Sequence, residues 1–136
     1  MKEKSVKDPD TDILMFFNGH EDVLALFGYF ENLLAGTFPT VNRRVQKTQI
    51  TFFNRHVFAC VSFAKVKRKA ELPDGYMVIT IGLPRPLDSE RAAVITEAYP
   101  GRWTHHFVIS SPEELDEELV SWIRESYAFA NTKGRF

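Results

Sequence analysis

Apolar positions recur at three- and four-residue steps between His20 and Ala35: Val23, Leu26, Phe27, Phe30, Leu33 and Leu34. That spacing predicts an amphipathic helix. Asn18 stands before it as an N-cap, Glu21 and Asp22 suit the positive end of its dipole, and Gly36 followed by Pro39 suits its end. Strand patterns come next. Val45–Phe53 is rich in β-branched and aromatic residues. His56–Phe63 alternates, with Val57, Ala59, Val61 and Phe63 facing one way and Phe58, Cys60 and Ser62 the other. Asn54-Arg55 between these runs fits a tight hairpin. Pro73-Asp74-Gly75 is a turn, since Pro presets φ and Gly admits positive φ. Tyr76–Leu83 follows as a strand with Met77, Ile79, Ile81 and Leu83 on one face, ended by Pro84 and Pro86.

Leu87–Arg102 reads two ways. Ala92, Ala93, Glu97 and Ala98 suit a helix over Ser89–Ala98, whereas Val94, Ile95 and Thr96 suit a strand. The Pro100-Gly101 turn signal favours a hairpin leading into a strand at Trp103–Ile109. The last helix opens with Ser111-Pro112-Glu113-Glu114, a capping box with Pro at the first helical position. Leu115, Leu119, Trp122, Ile123, Ser126 and Ala130 then share one face.

Strands grouped between two helices predict an α+β fold rather than an alternating α/β one. The expectation is a two-layer sandwich: an antiparallel sheet of four or five strands with N- and C-terminal helices packed on one face. The polar stretch 1–12 reads as a flexible tail, 13–131 as a single domain and 132–136 as a second tail. Thr11–Phe17 is too short an apolar run to assign to helix or strand.

The chain has 136 residues with 44% hydrophobic and 26% charged, which is the composition of one globular domain. No apolar run reaches the ~20 residues of a membrane span. The N-terminus has no apolar core of a signal peptide, and the single cysteine, Cys60, excludes an internal disulfide. A soluble, cytoplasmic protein with no membrane role is expected.

Net charge is −1, but the charges are segregated. Arg43, Arg44, Lys47, Arg55, Lys65, Lys67, Arg68 and Lys69 fall in one stretch without an acid. Six acids and one base occupy Glu113–Glu125. The two segments read as solvated faces, or the basic one as a nucleic-acid patch through Arg43, Arg44, Lys65, Lys67, Arg68 and Lys69.

Chemistry-bearing motifs are scarce. There is no HExxH, HxH or CxxC, and adjacent His105 and His106 in a strand point to opposite faces, so no metal site is expected. No phosphate-binding glycine loop and no GxSxG elbow occurs, and no cofactor is expected. Cys60 in an alternating strand reads as a small buried hydrophobe. The polar residues falling in or beside strands are Lys47, Arg55, His56, Arg91, Arg102 and His106. Converging on one face, they would bind a phosphate or carboxylate.

The segments Lys47–Phe52, Phe58-Ala59, Arg102-Trp103-Thr104-His105-His106 and Glu125–Ala130 resemble a small bacterial α/β domain family of unknown function, over roughly Met15–Asn131. The resemblance implies no catalytic residue. It implies that Lys47, Arg91, Arg102 and His106 sit at recurring family positions, which makes them the candidate ligand-binding residues. Trp103, Glu118-Leu119, Ile123 and Ser126-Tyr127 are more loosely similar to double-wing DNA-binding-like proteins.

Three functions stay open from sequence. The first is a non-enzymatic binding or interaction module with an anion-binding polar face. The second is nucleic-acid binding through 43–69. The third is a small enzyme acting on an anionic substrate with His56 or His106 beside arginines. A sheet covered on one face also admits a two-fold homodimer through the other.

Overall fold

The computed structural model describes residues 9–133; the outer parts of both expected tails, 1–8 and 134–136, lie outside the described residues. Helix α1 spans Pro9–Phe16 and α2 Leu24–Thr37, with a single 3-10 turn at Glu21–Val23 leading into α2. Six strands follow: β1 Asn42–Val45, β2 Gln49–Phe53, β3 Val57–Ser62, β4 Met77–Leu83, β5 Val94–Tyr99 and β6 Arg102–Ile109. Helix α3, Glu117–Lys133, ends the described chain.

The strands form one antiparallel sheet in the order β1-β2-β3-β4-β6-β5. The α+β expectation is met, with six strands instead of four or five. The addition is the edge strand β1. Asn42–Val45 is too short and too basic to show periodicity, and it pairs with β2 across the turn at Gln46–Thr48. Val94–Tyr99 resolves the ambiguous segment as strand, because pairing with β6 outweighs the helix propensity of its alanines. Gly101 takes φ 85° in the β5–β6 turn, where a side chain would be strained.

One sheet face carries Ile50, Phe52, Ala59, Val61, Met77, Ile79, Ile81, Leu83, His105, Phe107 and Ile109, all buried. Helices α2 and α3 lie on it. Phe27 and Phe30 of α2 meet the Phe52 ring at 6.1 and 5.8 Å, and Trp122 of α3 stacks on Phe107 at 5.6 Å. Leu115, Leu119, Ile123, Ser126 and Ala130 are buried from the α3 side, the stripe read from sequence.

Three local expectations change. Phe58, placed opposite Ala59 by strict alternation, is the extra residue of a β-bulge: Phe52 pairs with Ala59 and Phe53 with Val57. The bulge turns Phe58 to the helix face as well, against Phe38 and Tyr127. Gly36 does not end α2, which runs on to Thr37, where the Thr37 hydroxyl donates to Leu33 O. The capping-box glutamate does act, with Glu114 Oε1 accepting the N–H groups of Ser110 and Ser111 at 2.7 and 3.1 Å. It caps one 3-10 turn at Pro112–Glu114, and α3 is started by Asp116, whose carboxylate accepts the Leu119 N–H at 3.0 Å.

Candidate functional site on the open sheet face

Alternation sends the intervening residues to the other face of the sheet. One cross-strand row there reads Arg44, Thr51, Cys60, Thr80, His106 and Val94. Its centre is polar and linked. Thr80 Oγ1 lies 2.8 Å from His106 Nδ1. Thr51, only 2% exposed, donates to Gln46 Oε1 and accepts from Gln49 Nε2 at 3.1 Å. Cys60 stands directly across the β2–β3 pair from Thr51. Burial pushes the Cys60 thiol up, against a lowering by Thr51 and by the charge of Arg102. Burial also holds His106 below the ordinary histidine value, which favours the neutral ring.

Arg102 lies on the same face, toward the β5–β6 turn. Its guanidinium rests broadside on Gly82: a Cβ there would meet Nη1, Cζ and Nη2 at 2.5, 2.6 and 2.6 Å. Glycine at position 82 therefore makes room for the cation.

The backbone beneath this cation is unusual. The β3–β4 ladder runs over Cys60–Thr80, Val61–Ile79 and Ser62–Val78 and stops there. Where the next rungs would fall, Ser126 of α3 reaches in. Its hydroxyl donates to Phe58 O at 2.7 Å and accepts the Gly82 N–H at 3.3 Å. The Phe58 bulge parts the strands, and one serine replaces the missing rung. Gly82 is thus held from the helix side by Ser126 and covered from the open side by Arg102.

The two adjacent histidines have separate surroundings. His105 is fully buried on the helix face. Its Nε2 accepts the Leu87 N–H at 3.0 Å, so the ring proton is on Nδ1, which donates to Trp103 O at 3.0 Å. That geometry fits its lowered pKa, which burial dominates. His105 fastens the β4–β5 connection.

The sequence-derived ligand set divides. Arg102 and His106 share the open face on β6. Arg91 lies at the helix side, where Nη1 contacts Asp116 and Glu118, Nη2 donates to Glu114 O at 2.9 Å, and Cζ stands 5.7 Å from the Trp122 ring. It ties the β4–β5 connection to the start of α3. Lys47 is exposed in the β1–β2 turn, beside Asp12, Phe16 and Val45 in a cleft of about 320 Å³. Thr51, Cys60, Thr80, Gly82 and Ser126 join the picture instead. Ser126 could have been found, as the one polar member of the apolar stripe on the last helix.

The basic stretch is dispersed too. Arg43 pairs with Glu31 of α2, and Arg44 lies over the Phe53 ring at 4.7 Å. Lys65, Lys67, Arg68 and Lys69 are exposed in the β3–β4 connection, with Arg68 3.4 Å from Glu71. Arg55 and His56 occupy the β2–β3 turn.

Residues 15–130 match the family model "Domain of unknown function (DUF5655)". The chain belongs to the DUF5655 family. Neither the curated proteins nor the solved structures contain a significant match. Among the described residues of this DUF5655 chain no group of three or more His, Cys, Asp or Glu is placed to hold a metal, and no helix is long and apolar enough to cross a membrane.

Proposed function

We propose that this DUF5655 domain is a binding module that holds a small anion on the open face of its sheet, with Arg102 as the anchor. One observation carries the reading. Three arginines are half-buried among the described residues: Arg43, Arg91 and Arg102. The first two face carboxylates, whereas the Arg102 guanidinium has no ion pair or hydrogen bond among the described residues. A partly desolvated cation without a counter-charge is costly, and a bound anion relieves that cost. Neutral Thr80 and His106 offer hydrogen bonds nearby. Binding without turnover fits the neighbouring groups, since a raised Cys60 pKa disfavours a thiolate and His106 is engaged with Thr80 rather than with the thiol.

The test is thermal melting of the wild type and Arg102→Gln across chloride, sulfate, phosphate and acetate at constant ionic strength. A ligand at tenfold its Kd stabilises by about 1.4 kcal/mol. An anion-specific rise in the wild type, absent in Arg102→Gln, supports the reading. Equal responses from both proteins remove it.

The exposed cluster Lys65, Lys67, Arg68 and Lys69 favours a second reading, nucleic-acid binding through the β3–β4 connection. It requires retardation of DNA or RNA that weakens steeply with salt and with Lys67→Glu/Arg68→Glu. A cytoplasmic bacterial setting belongs to the same proposal and fits the single unpaired cysteine. A two-fold homodimer through the open face belongs to it too, and that arrangement would cover Arg102.

A further inference from the structure

We infer that the ligand of this face is a monoanionic carboxylate, taken by the Arg102 guanidinium over the gap between β3 and β4. The inference rests on the anion-binding reading and narrows it to one chemical class. The first argument is the charge inventory. Arg102 is the cation over Gly82, and the groups that share its part of the face are the Thr80 and Thr104 hydroxyls, Thr96 and Tyr99 of β5, the Cys60 thiol and the His106 ring. Burial favours the neutral form of both the thiol and the imidazole. In the row of Thr80 and His106 the other cation is Arg44 on β1, three strands from β4, or about 14 Å at the usual strand spacing, and at the Gly82 end of the sheet Arg55 of the β2–β3 turn is exposed to solvent, where its charge is screened. Arg44 lies over Phe53 and is beyond reach of a small ligand seated on Arg102. One half-buried positive charge among uncharged donors balances a single negative charge. A phosphate dianion would leave one charge uncompensated in a partly desolvated place.

The second argument is shape. Both terminal nitrogens and Cζ lie nearly equidistant from the Cβ position of Gly82, so the guanidinium plane lies flat on the strand. Its N–H fork then runs along the sheet surface. A planar carboxylate lying in that plane receives two parallel hydrogen bonds, the pairing for which Arg is better suited than Lys. Two features fix the plane. Gly82 leaves the volume for the cation, and Ser126 holds the Gly82 backbone at the missing rung. Gly82 is therefore a specificity determinant, and Ser126 a positioning residue.

The experiment is an NMR titration of the 15N-labelled chain at pH 7.5 with sodium acetate and, separately, inorganic phosphate at matched ionic strength. The expected result is saturable acetate shifts at the Gly82 amide and the Arg102 side-chain N–H, with phosphate at least fivefold weaker. Arg102→Gln should abolish the shifts, and Arg102→Lys should weaken binding about tenfold by removing the fork. Gly82→Ala keeps the cation but lifts it from the strand; it should weaken acetate binding while the remaining amide spectrum stays that of the wild type. Phosphate binding as tight as acetate or tighter, still dependent on Arg102, overturns the carboxylate assignment and leaves the anion site standing. Failure of both ions to shift these resonances, or shifts that persist in Arg102→Gln, overturns the anion site itself.

Discussion

Ser126→Ala tests whether a single hydroxyl completes the sheet. The side chain is 1% exposed and makes two hydrogen bonds, donating to Phe58 O at 2.7 Å and accepting from Gly82 N at 3.3 Å. Its removal leaves one buried acceptor and one buried donor without partners. Each orphaned group costs about 1–3 kcal/mol. The longer contact is the weaker, and the methyl group of alanine is more at ease in an apolar layer than the hydroxyl. A net loss of about 2–3 kcal/mol follows from the lower half of that range. Urea denaturation should register it as a lower midpoint with an unchanged slope, since the buried area hardly alters. Ser121→Ala, on the exposed side of the same helix, is the control. Its hydroxyl donates to Glu118 O at 2.6 Å in solvent, so its loss should stay within about 0.5 kcal/mol. If Ser126→Ala loses no more than Ser121→Ala, the serine is not a substitute rung. The Gly82 platform beneath Arg102 then has some other support.

Acid should weaken the fold through His105 and His106. Both have native pKa values below the ordinary 6.5, so the unfolded chain binds more protons as pH falls. Their stabilisation is complete above 6.5 and is lost as pH falls from there toward the lowered native values; denaturation curves from pH 8 to 5 should show the decline, and His106→Gln should flatten part of it. Arg91→Ala should cost about 1–2 kcal/mol in chemical denaturation, a range kept low because the ion pairs are partly exposed and are only part of its contacts. Arg91→Lys should restore less than half, since Lys lacks the planar fork that spans Asp116, Glu118 and the Glu114 carbonyl. Tyr127→Phe should cost about 1 kcal/mol, because its hydroxyl accepts from Asn54 Nδ2 at 3.0 Å and donates to Thr40 O at 3.0 Å.

Regular periodicity was legible in the sequence, and departures from it were not. The stripe of α3 and the alternation of β4 follow directly from residue spacing, because both elements bury one continuous apolar set. The Phe58 bulge has no local signature: Val57 to Ser62 alternates well enough to be read as an unbroken strand, and the extra residue shows only in the pairing with β2. The edge strand β1 escaped for a related reason. Asn42–Val45 buries little, so its strand conformation comes from β2 rather than from its own pattern. In the site, opposite facing of His105 and His106 was predictable from the strand period alone. The separation of Arg91 from Arg102 was not, since it depends on where the β4–β5 connection crosses α3. Charge runs were the least informative signal, because Arg43 turned inward to Glu31 while Lys65–Lys69 stayed in solvent.

The same irregularity that sequence could not reveal makes the candidate site. A perfectly paired β3–β4 ladder would join the backbone of Phe58 to that of Gly82, and Ser126 would have no role in it. The bulge instead sends Phe58 to the helix layer, against Phe38 and Tyr127, which improves the core at the expense of the ladder. Ser126 supplies the lost hydrogen bonds from α3 and thereby couples that helix to the strand carrying Gly82. Gly82 in turn has no side chain to shield its open side, and Arg102 covers it without a carboxylate partner among the described residues. A purely structural role would be served as well by an apolar side chain over Gly82, with no charge to compensate. On the anion-binding proposal, that guanidinium is compensated by a negatively charged group arriving from solution.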